Sequence, residues 1–132
     1  MTRPAILLTG AAGQVGFELQ RALAPHGDVT ACDRDKLDLA NRDALVSVVR
    51  SVRPQLIVNA AAYTAVDRAE ADVAQAESIN TMAPGILADE AKRIDAALIH
   101  FSTDYVFDGT SAVPYDEQAP TPAAFASAVV PP

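Results

Sequence analysis

Three glycines spaced three residues apart follow the first apolar run of the chain. The run "AILLT" (5–9) leads directly to Gly10, Gly13 and Gly16, and residues 14–24 then repeat apolar side chains at helical spacing. Such a loop between a strand and a helix permits a tight turn and lets the N–H groups at the helix N-terminus approach a phosphate. The feature therefore predicts the first βα unit of a dinucleotide-binding fold.

Short apolar runs alternate with helix-length amphipathic segments along the rest of the chain. We predict strands at 5–9, 28–32, 55–60 and 96–102, and helices at 14–24, 42–52 and, in two halves with a bend between them, 65–80 and 81–94. Asn41 is a suitable N-cap for the second helix, and Pro84 fits an early position of the last. The alternation predicts an α/β fold: a Rossmann-like, doubly wound parallel sheet, incomplete at four strands, each covered on both faces.

The length of the chain and the distribution of its prolines predict one domain with an irregular tail. A chain of 132 residues is the size of a single domain. Five of the nine prolines follow Gly109, in a stretch without helical or strand periodicity. We therefore predict the N-terminal part of an NAD(P)-binding Rossmann-like domain at 1–109 and an irregular Ala/Pro-rich tail at 110–132.

The net charge argues against two kinds of partner, and the cysteine count and the N-terminus indicate the compartment. A net charge of −7 and a pI near 4.6 argue against a grip on nucleic acid phosphates or on anionic membranes. Cys32 cannot form an internal disulfide, and the N-terminus enters a strand without a basic leader. No apolar run approaches the roughly 18 residues of a membrane span. We therefore expect a soluble, cytoplasmic protein.

The loop after the second predicted strand offers groups for a cofactor's ribose. Asp33 lies 17 residues past Gly16, where a carboxylate can accept from ribose hydroxyls. Asp33 suits the free 2′-hydroxyl of NADH, whereas Arg34 could pair with the 2′-phosphate of NADPH or could be a solvated turn residue. Asp38 and Leu39 could line an adenine pocket or form a helix-entry turn. The predicted cofactor-binding residues here are Gly10, Gly13, Gln14, Val15, Gly16, Asp33, Arg34, Asp38 and Leu39.

Two longer motifs carry a family resemblance. The glycine spacing resembles the extended short-chain dehydrogenase/reductase superfamily of nucleotide-sugar enzymes. Within it, "VNAAAYTAVDRAE" (58–70) and "STDYVFDG" (102–109) resemble the dTDP-4-dehydrorhamnose reductases, and the resemblance covers residues 4 to about 118. It implies reduction of the 4-keto group of dTDP-4-dehydro-L-rhamnose by NADPH or NADH, giving dTDP-L-rhamnose, and a homodimer in the full-length family.

The resemblance also implies roles for residues of these motifs. Small side chains after the third strand let the backbone lie against a flat cofactor, which implies cofactor contacts from Ala60, Ala61, Ala62 and Tyr63. Thr64 would face the nicotinamide ribose or the substrate. After the fourth strand, the catalytic hydroxyl of Thr103 would hydrogen-bond the keto oxygen, with substrate contacts from Ser102, Asp104 and Tyr105. The alternative for this polar cluster is a strand end wetted by solvent.

The remaining acidic and histidine side chains give weaker signals. Asp108, Asp116 and Glu117 could bind a divalent cation such as Mg²⁺ near the sugar phosphates, but solvated loop charges are the preferred explanation. His26 lies in a turn and His100 inside the fourth strand, so we expect neither to act as a base or as a metal ligand. No protein metal site is predicted.

The superfamily's proton-donating pair is missing from the 132 residues. In these reductases a Tyr-x-x-x-Lys pair follows the proline-rich loop, but here no tyrosine follows Tyr115 and no lysine follows Lys92. The loss of pattern after Pro122 resembles a shifted reading frame or a truncated product. We therefore expect weak cofactor binding and little turnover. We also expect the fourth strand to expose an apolar face that favours association.

Two other functions stay open at this point. A non-catalytic nucleotide-binding subunit, resembling the β subunit of methionine adenosyltransferase, shares much of the N-terminal pattern. A fragment of a nucleotide-sugar epimerase or dehydratase is nearer in chemistry, but those relatives resemble "NAAAYTAVDRAE" less.

Overall fold

Strands and helices alternate in the predicted order. A computed structural model describes residues 2–62, 72–102 and 107–121. Its elements are β1 (Ala5–Thr9), α1 (Gln14–Leu23), β2 (Asp28–Cys32), α2 (Arg42–Val52), β3 (Leu56–Asn59), α3 (Val73–Glu77), a π-helical turn (Ser78–Met82), α4 (Ala83–Arg93) and β4 (Ala97–His100).

The described strands form a parallel four-stranded sheet in the order β2-β1-β3-β4. Thr9 lies level with Cys32 on one side and with Asn59 on the other, and Asn59 lies level with His100, so the carboxyl ends are aligned. Because β2 and β3 lie on opposite sides of β1, the chain changes direction across the sheet there, which makes a topological switch point. The predicted Rossmann-like sheet, incomplete at four strands, is confirmed.

Helices cover the two faces of the sheet unequally. On one face, α2 and α4 pack on a large buried cluster that includes Leu7, Leu45, Ile57 and Leu87. On the other face, α1 places the half-buried Leu19 and Leu23 over a small cluster of Ile6, Leu8 and Val58. We call these the α2/α4 face and the α1 face.

Local signals explain where α2 begins and ends. The Asn41 side chain accepts a hydrogen bond from the Ala44 N–H at 3.0 Å, so the predicted N-cap is confirmed. Leu45 and Val49 are buried along one stripe of the helix. The helix ends at Val52, and the next residue, Arg53, caps it with a left-handed backbone (φ 46°) and an N–H that donates to the Val49 carbonyl.

An ion pair joins α2 to α4. Arg50 donates to both carboxylate oxygens of Glu90, at 2.8 and 3.0 Å, and the Glu90 side chain is only 6% exposed. Arg93 lies 3.6 Å from the same carboxylate. The hydrogen bonds from Arg50 hold the pKa of Glu90 below its usual value.

The connection between β3 and β4 contains a π-helical turn. The turn at Ser78–Met82 falls where a bend between two helices was predicted, and Pro84 occupies the first turn of α4 as expected. Proline has no N–H for an α-helical bond and its ring crowds the carbonyl four residues earlier, so a wider turn before it relieves the clash. None of the helices in the described parts of the chain is long and apolar enough to cross a membrane.

The last strand differs from its prediction in length and in exposure. β3 and β4 are shorter than the predicted 55–60 and 96–102. Ile99 in β4 and Phe101 just after it are 49% and 46% exposed, so the prediction of cover on both faces, made from the apolar run, is wrong for β4. The same observation confirms the expectation that the fourth strand exposes an apolar face. The described helix on that side, α1, packs over β1 and β2 instead.

Residues 107–121 form turns without a helix or a strand. The rings of Phe107 and Tyr115 stack with their centroids 4.4 Å apart. Asp108 accepts hydrogen bonds from the hydroxyls of Thr110 and Tyr115 at 2.8 and 2.9 Å, which ties this segment to itself. The division of the chain at residue 109 stays a prediction.

Candidate cofactor site

A cavity of about 700 Å³ lies outside the carboxyl ends of β1, β2 and β3, at the switch point. The loops after these three strands form most of its wall. The predicted cofactor-binding residues that line it are Gly10, Gly13, Gln14, Val15, Asp33, Arg34, Asp38, Leu39, Ala60, Ala61 and Ala62. Gly16 is buried next to this loop and does not line the cavity. The contacts that these residues make with a cofactor stay a prediction.

Two of the three loop glycines are required by close backbone packing. Gly10 has a left-handed backbone (φ +72°), and a Cβ there would lie 2.5 Å from the Ala61 nitrogen. A Cβ on Gly16 would lie 1.9 Å from the Gly10 carbonyl oxygen, whereas one on Gly13 would meet that oxygen at 3.4 Å. The loop after β1 is thus pressed against the loop after β3 and against α1.

The N-terminus of α1, which follows this loop, faces the cavity. Gly13 is the N-cap and provides no side-chain hydrogen bond, although its own N–H donates to the Gly10 carbonyl at 3.1 Å. The next two residues, Gln14 and Val15, line the cavity, and Val15 is 48% exposed instead of packing on the sheet. The first turn of α1 therefore offers N–H groups and the positive end of the helix dipole to an anion.

Turns after β2 fix two carboxylates at the rim of the cavity. Asp33 accepts from the Lys36 N–H at 3.0 Å, and Asp38 accepts from the Ala40 N–H at 3.0 Å. Each bond uses Oδ1, so Oδ2 of each carboxylate is left for another donor. Arg34 lies on the same rim. The carboxylate that could accept from ribose hydroxyls and the guanidinium that could pair with a 2′-phosphate therefore both border the cavity.

Three lining residues were not predicted from the sequence. Ala12 lies in the loop that carries the three glycines (residues 10–16), which we call the glycine loop. Leu37 precedes the predicted pair Asp38 and Leu39. Leu37 and Leu39 alternate in "KLDLA" and are both buried, which is a signal that could have identified Leu37. Ile79 reaches the cavity from the π-helical turn, and no local pattern marks such a turn.

A hydrogen-bonded group of polar side chains lies at the carboxyl ends of β1, β3 and β4. Thr9 and Asn59 are fully buried. Asn59 Oδ1 accepts from the Thr9 hydroxyl at 2.5 Å and from the Ala61 N–H at 3.3 Å. Asn59 Nδ2 lies 3.0 Å from His100 Nδ1. The group connects the strand ends to the wall of the cavity.

Burial shifts the two titratable groups at these strand ends. It raises the pKa of the Cys32 thiol, which Lys36 opposes, and so favours the neutral thiol. Partial desolvation of the ring also lowers the pKa of His100, although the residue as a whole is exposed, and so favours the neutral imidazole. Within 2–62, 72–102 and 107–121, no group of three or more His, Cys, Asp or Glu side chains could hold a metal ion. That His100 is not a metal ligand stays a prediction.

Of the residues predicted to bind substrate or to act in catalysis, the structure describes only Ser102. Ser102 is exposed just beyond β4. Tyr63, Thr64, Thr103, Asp104 and Tyr105 lie outside the described residues, so their roles stay predictions.

Known proteins match the chain along most of its length. A family described as "RmlD substrate binding domain" matches residues 4–125. The dTDP-4-dehydrorhamnose reductase of Burkholderia thailandensis is 52% identical over 116 residues, which are 88% of this chain and 39% of that protein. The enzyme of the same name from Escherichia coli K12 is 47% identical over 116 residues, or 85% of this chain and 39% of that protein.

A solved structure agrees with these matches. The dTDP-4-dehydrorhamnose reductase of Bacillus anthracis, in complex with NADP, superposes with a TM-score of 0.86 at 36% identity, covering 98% of this chain and 47% of that one. The chain thus spans less than half the length of these relatives. Since the family match covers the sheet, the glycine loop and the cavity, the chain belongs to the RmlD substrate-binding-domain family.

Proposed function

We propose that the cavity binds NADPH or NADH. The single observation that supports this most strongly is the close packing of Gly10 against Ala60 and Ala61, which brings two backbone loops together as the wall of a 700 Å³ cavity at the switch point. The pyrophosphate of a dinucleotide needs such close backbone approach. A chain with net charge −7 must also hold that pyrophosphate locally.

The described residues divide naturally among the parts of a dinucleotide. Residues 13–15, at the N-terminus of α1, would receive the pyrophosphate, and Asp33 or Arg34 the adenosine ribose. Asp38 and Leu39 would contact the adenine, and residues 60–62 the nicotinamide side, together with Tyr63, which lies outside the described residues. Titration with NADPH, followed by its fluorescence, tests the proposal. Absence of any binding at millimolar cofactor would refute it.

The choice between the two cofactors depends on the rim after β2. The related Bacillus anthracis reductase was solved with NADP, and here Arg34 borders the cavity beside Asp33. We propose that Arg34 contacts the 2′-phosphate and that Asp33 accepts from ribose hydroxyls, so that both cofactors bind. Arg34→Ala would then weaken NADPH binding by about tenfold, the value of a charge-assisted hydrogen bond, with little effect on NADH. Equal weakening of both would contradict the assignment.

For the full-length protein we propose reduction of the 4-keto group of dTDP-4-dehydro-L-rhamnose. The named activity of relatives at 52% and 47% identity supports this proposal. The bound nicotinamide would supply the hydride, and the hydroxyl of Thr103 would hydrogen-bond the keto oxygen, supported by Ser102 and Asp104. Thr64 and Tyr105 would contact the dTDP-sugar.

The 132 residues are proposed to bind cofactor with little turnover, because they contain no Tyr-x-x-x-Lys pair. A general acid typically contributes about a hundred- to ten-thousandfold in rate. The test is oxidation of NADPH by dTDP-4-dehydro-L-rhamnose, with the Escherichia coli enzyme as the matched control. Turnover within tenfold of the control would contradict the low activity, and cofactor binding by an inactive full-length protein would favour a non-catalytic nucleotide-binding subunit.

A further inference from the structure

Asn59 lies at the centre of a buried polar group on the α2/α4 face. It ends β3, between Thr9 on β1 and His100 on β4, and both it and Thr9 are inaccessible to solvent. A buried primary amide is costly unless its oxygen and nitrogen both find partners. Here the oxygen has Thr9 and Ala61, and the nitrogen has His100.

One backbone group fixes the direction of every hydrogen bond in this set. The Ala61 N–H can only donate, so the Asn59 atom that faces it at 3.3 Å must be the amide oxygen. The amide nitrogen therefore faces His100 and donates, which requires His100 Nδ1 to be an unprotonated acceptor. The imidazole is then neutral, with its proton on Nε2.

The same backbone group belongs to the wall of the cavity. Ala61 lines the cavity, and its nitrogen would lie 2.5 Å from a Cβ on Gly10. The hydrogen bond from Ala61 to Asn59 thus sets the position of a loop that packs tightly against the glycine loop. A displacement of Ala61 would change the surface against which a flat cofactor lies.

We propose that Asn59 is a positioning residue of the cofactor cavity and that neutral His100 holds its amide in the orientation required by the Ala61 N–H. The inference rests on the proposed binding of a nicotinamide cofactor in this cavity. Protonation of His100 at Nδ1 makes this ring nitrogen a donor, and it then faces the NH₂ group of Asn59, which is also a donor. An amide rotated to accept from the imidazolium would then turn its NH₂ group towards the Ala61 N–H, so the loop loses its anchor.

The other titratable groups described at this end of the sheet, Cys32, Asp33, Lys36 and Asp38, end or follow β2, and β1 and β3 lie between β2 and β4. Thr9 and Asn59, which end β1 and β3, do not titrate. On α4, the charged residues all lie in its last five positions, towards the amino end of β4: Asp89, Glu90, Lys92 and Arg93. Asp72 and Glu77 precede the π-helical turn. Burial lowers the pKa of His100, so the neutral form and the anchored loop predominate at neutral pH.

Two substitutions separate the hydrogen bond from the titration. His100→Asn places an amide oxygen near the position of Nδ1, so it keeps an acceptor that does not protonate. Asn59→Asp still accepts from Thr9 and Ala61 but attracts an imidazolium. We expect NAD⁺ affinity of the unmodified chain to fall about tenfold from pH 8 to pH 5, the value of one hydrogen bond. His100→Asn removes this dependence, and Asn59→Asp reverses its sign.

Two measurements on the 132-residue chain test the proposal. Calorimetric titration uses NAD⁺, which has no 2′-phosphate to titrate near pH 6. NMR follows the His100 ring nitrogens and the Ala61 amide from pH 8 to pH 5. We expect the Nε2–H tautomer at pH 8 and an Ala61 resonance that moves with the His100 midpoint. The proposal is overturned if the Ala61 resonance does not shift with the protonation of His100. It is also overturned if NAD⁺ affinity depends on pH in His100→Asn as it does in the unmodified chain.

The NMR readout also separates this inference from the proposed function. If the chain binds no NAD⁺ at any pH, the cofactor proposal fails, while the coupled titration of His100 and Ala61 still decides whether Asn59 holds the loop. His100 lies on an exposed edge strand, so His100→Asn is expected to fold even where Asn59→Asp does not. Circular dichroism at pH 8 checks both variants.

Discussion

The two faces of the sheet bury apolar cores of different size. The α2/α4 face has a continuous core from Leu7 through Ile57 to Ala83, and it also includes the buried pair of Thr9 and Asn59. The α1 face buries Ile6, Leu8 and Val58 and leaves Ile99 and Phe101 about half exposed. Stability therefore depends mainly on one face, whereas the cavity at the strand ends draws its wall from both.

The difference shows that the site does not depend on a uniformly buried sheet. On the α1 face, the glycine loop is held by backbone contacts of Gly10 and Gly16, not by a large core. On the α2/α4 face, Ile79 of the π-helical turn reaches the same cavity. The substitutions below test this division, and they are ordered by expected effect.

Truncation of a core leucine on the α2/α4 face is expected to have the largest effect. Leu87→Ala removes a fully buried side chain and is expected to lower the free energy of unfolding by about 2–5 kcal/mol. The matched control is Leu19→Ala on α1, which is only half buried and is expected to lose less. Urea denaturation of both variants measures the difference. Equal losses would mean that the two faces contribute alike.

A methyl group on Gly16 tests the backbone contacts of the α1 face. It would lie 1.9 Å from the Gly10 oxygen, so Gly16→Ala is expected to destabilise by about 1–3 kcal/mol and to weaken NADPH binding by displacing the loop. Gly13→Ala is the control, because its methyl group would meet the same oxygen at 3.4 Å. Unfolding and cofactor titrations measure both. If the two variants behaved identically, close packing would not be the reason for the glycine spacing.

Acidification tests the ion pair that joins α2 to α4. Arg50 holds the folded pKa of Glu90 below its usual value of 4.5, so the unfolded state binds the proton more readily. The pair's contribution is therefore fully present above that usual value and is lost as pH falls through the folded pKa. Thermal unfolding of Glu90→Gln is expected to show a weaker pH dependence below pH 4.5 than the unmodified chain. The same slope in both would refute this contribution.

Polar substitutions on the open part of the α1 face are expected to change stability least. Ile99→Thr with Phe101→Ser replaces two half-exposed side chains and is expected to alter the free energy of unfolding by less than about 1 kcal/mol. The same change removes apolar surface that favours association. Sedimentation velocity is expected to show less self-association in the variant. A clean monomer before the substitution would contradict the predicted association.

The sequence predicted the features that depend on neighbouring residues. The Asn41 cap, the glycine loop and the alternation of strands and helices follow from local patterns, and eleven of the predicted residues meet in one cavity. The partners of Asn59 could not be predicted, because Thr9 and His100 lie 50 and 41 residues away. The apolar run of β4 alone misjudged its exposure, because such a run does not reveal whether a helix covers it, whereas the loss of the family pattern after Pro122 indicated the exposed face.

The π-helical turn allows the length of this connection to vary by one residue. An α-helix advances about 100° per residue, and a π-helical turn takes up one extra residue within a single turn. The segment before the turn, including the buried Ala76, therefore keeps its phase relative to α4. Deleting one residue from 78–82 would restore a regular helix without rotating that segment, whereas a deletion within α4 would rotate it by about 100°. Phase along the helix, rather than reach between the strands, thus determines where this connection can gain or lose a residue.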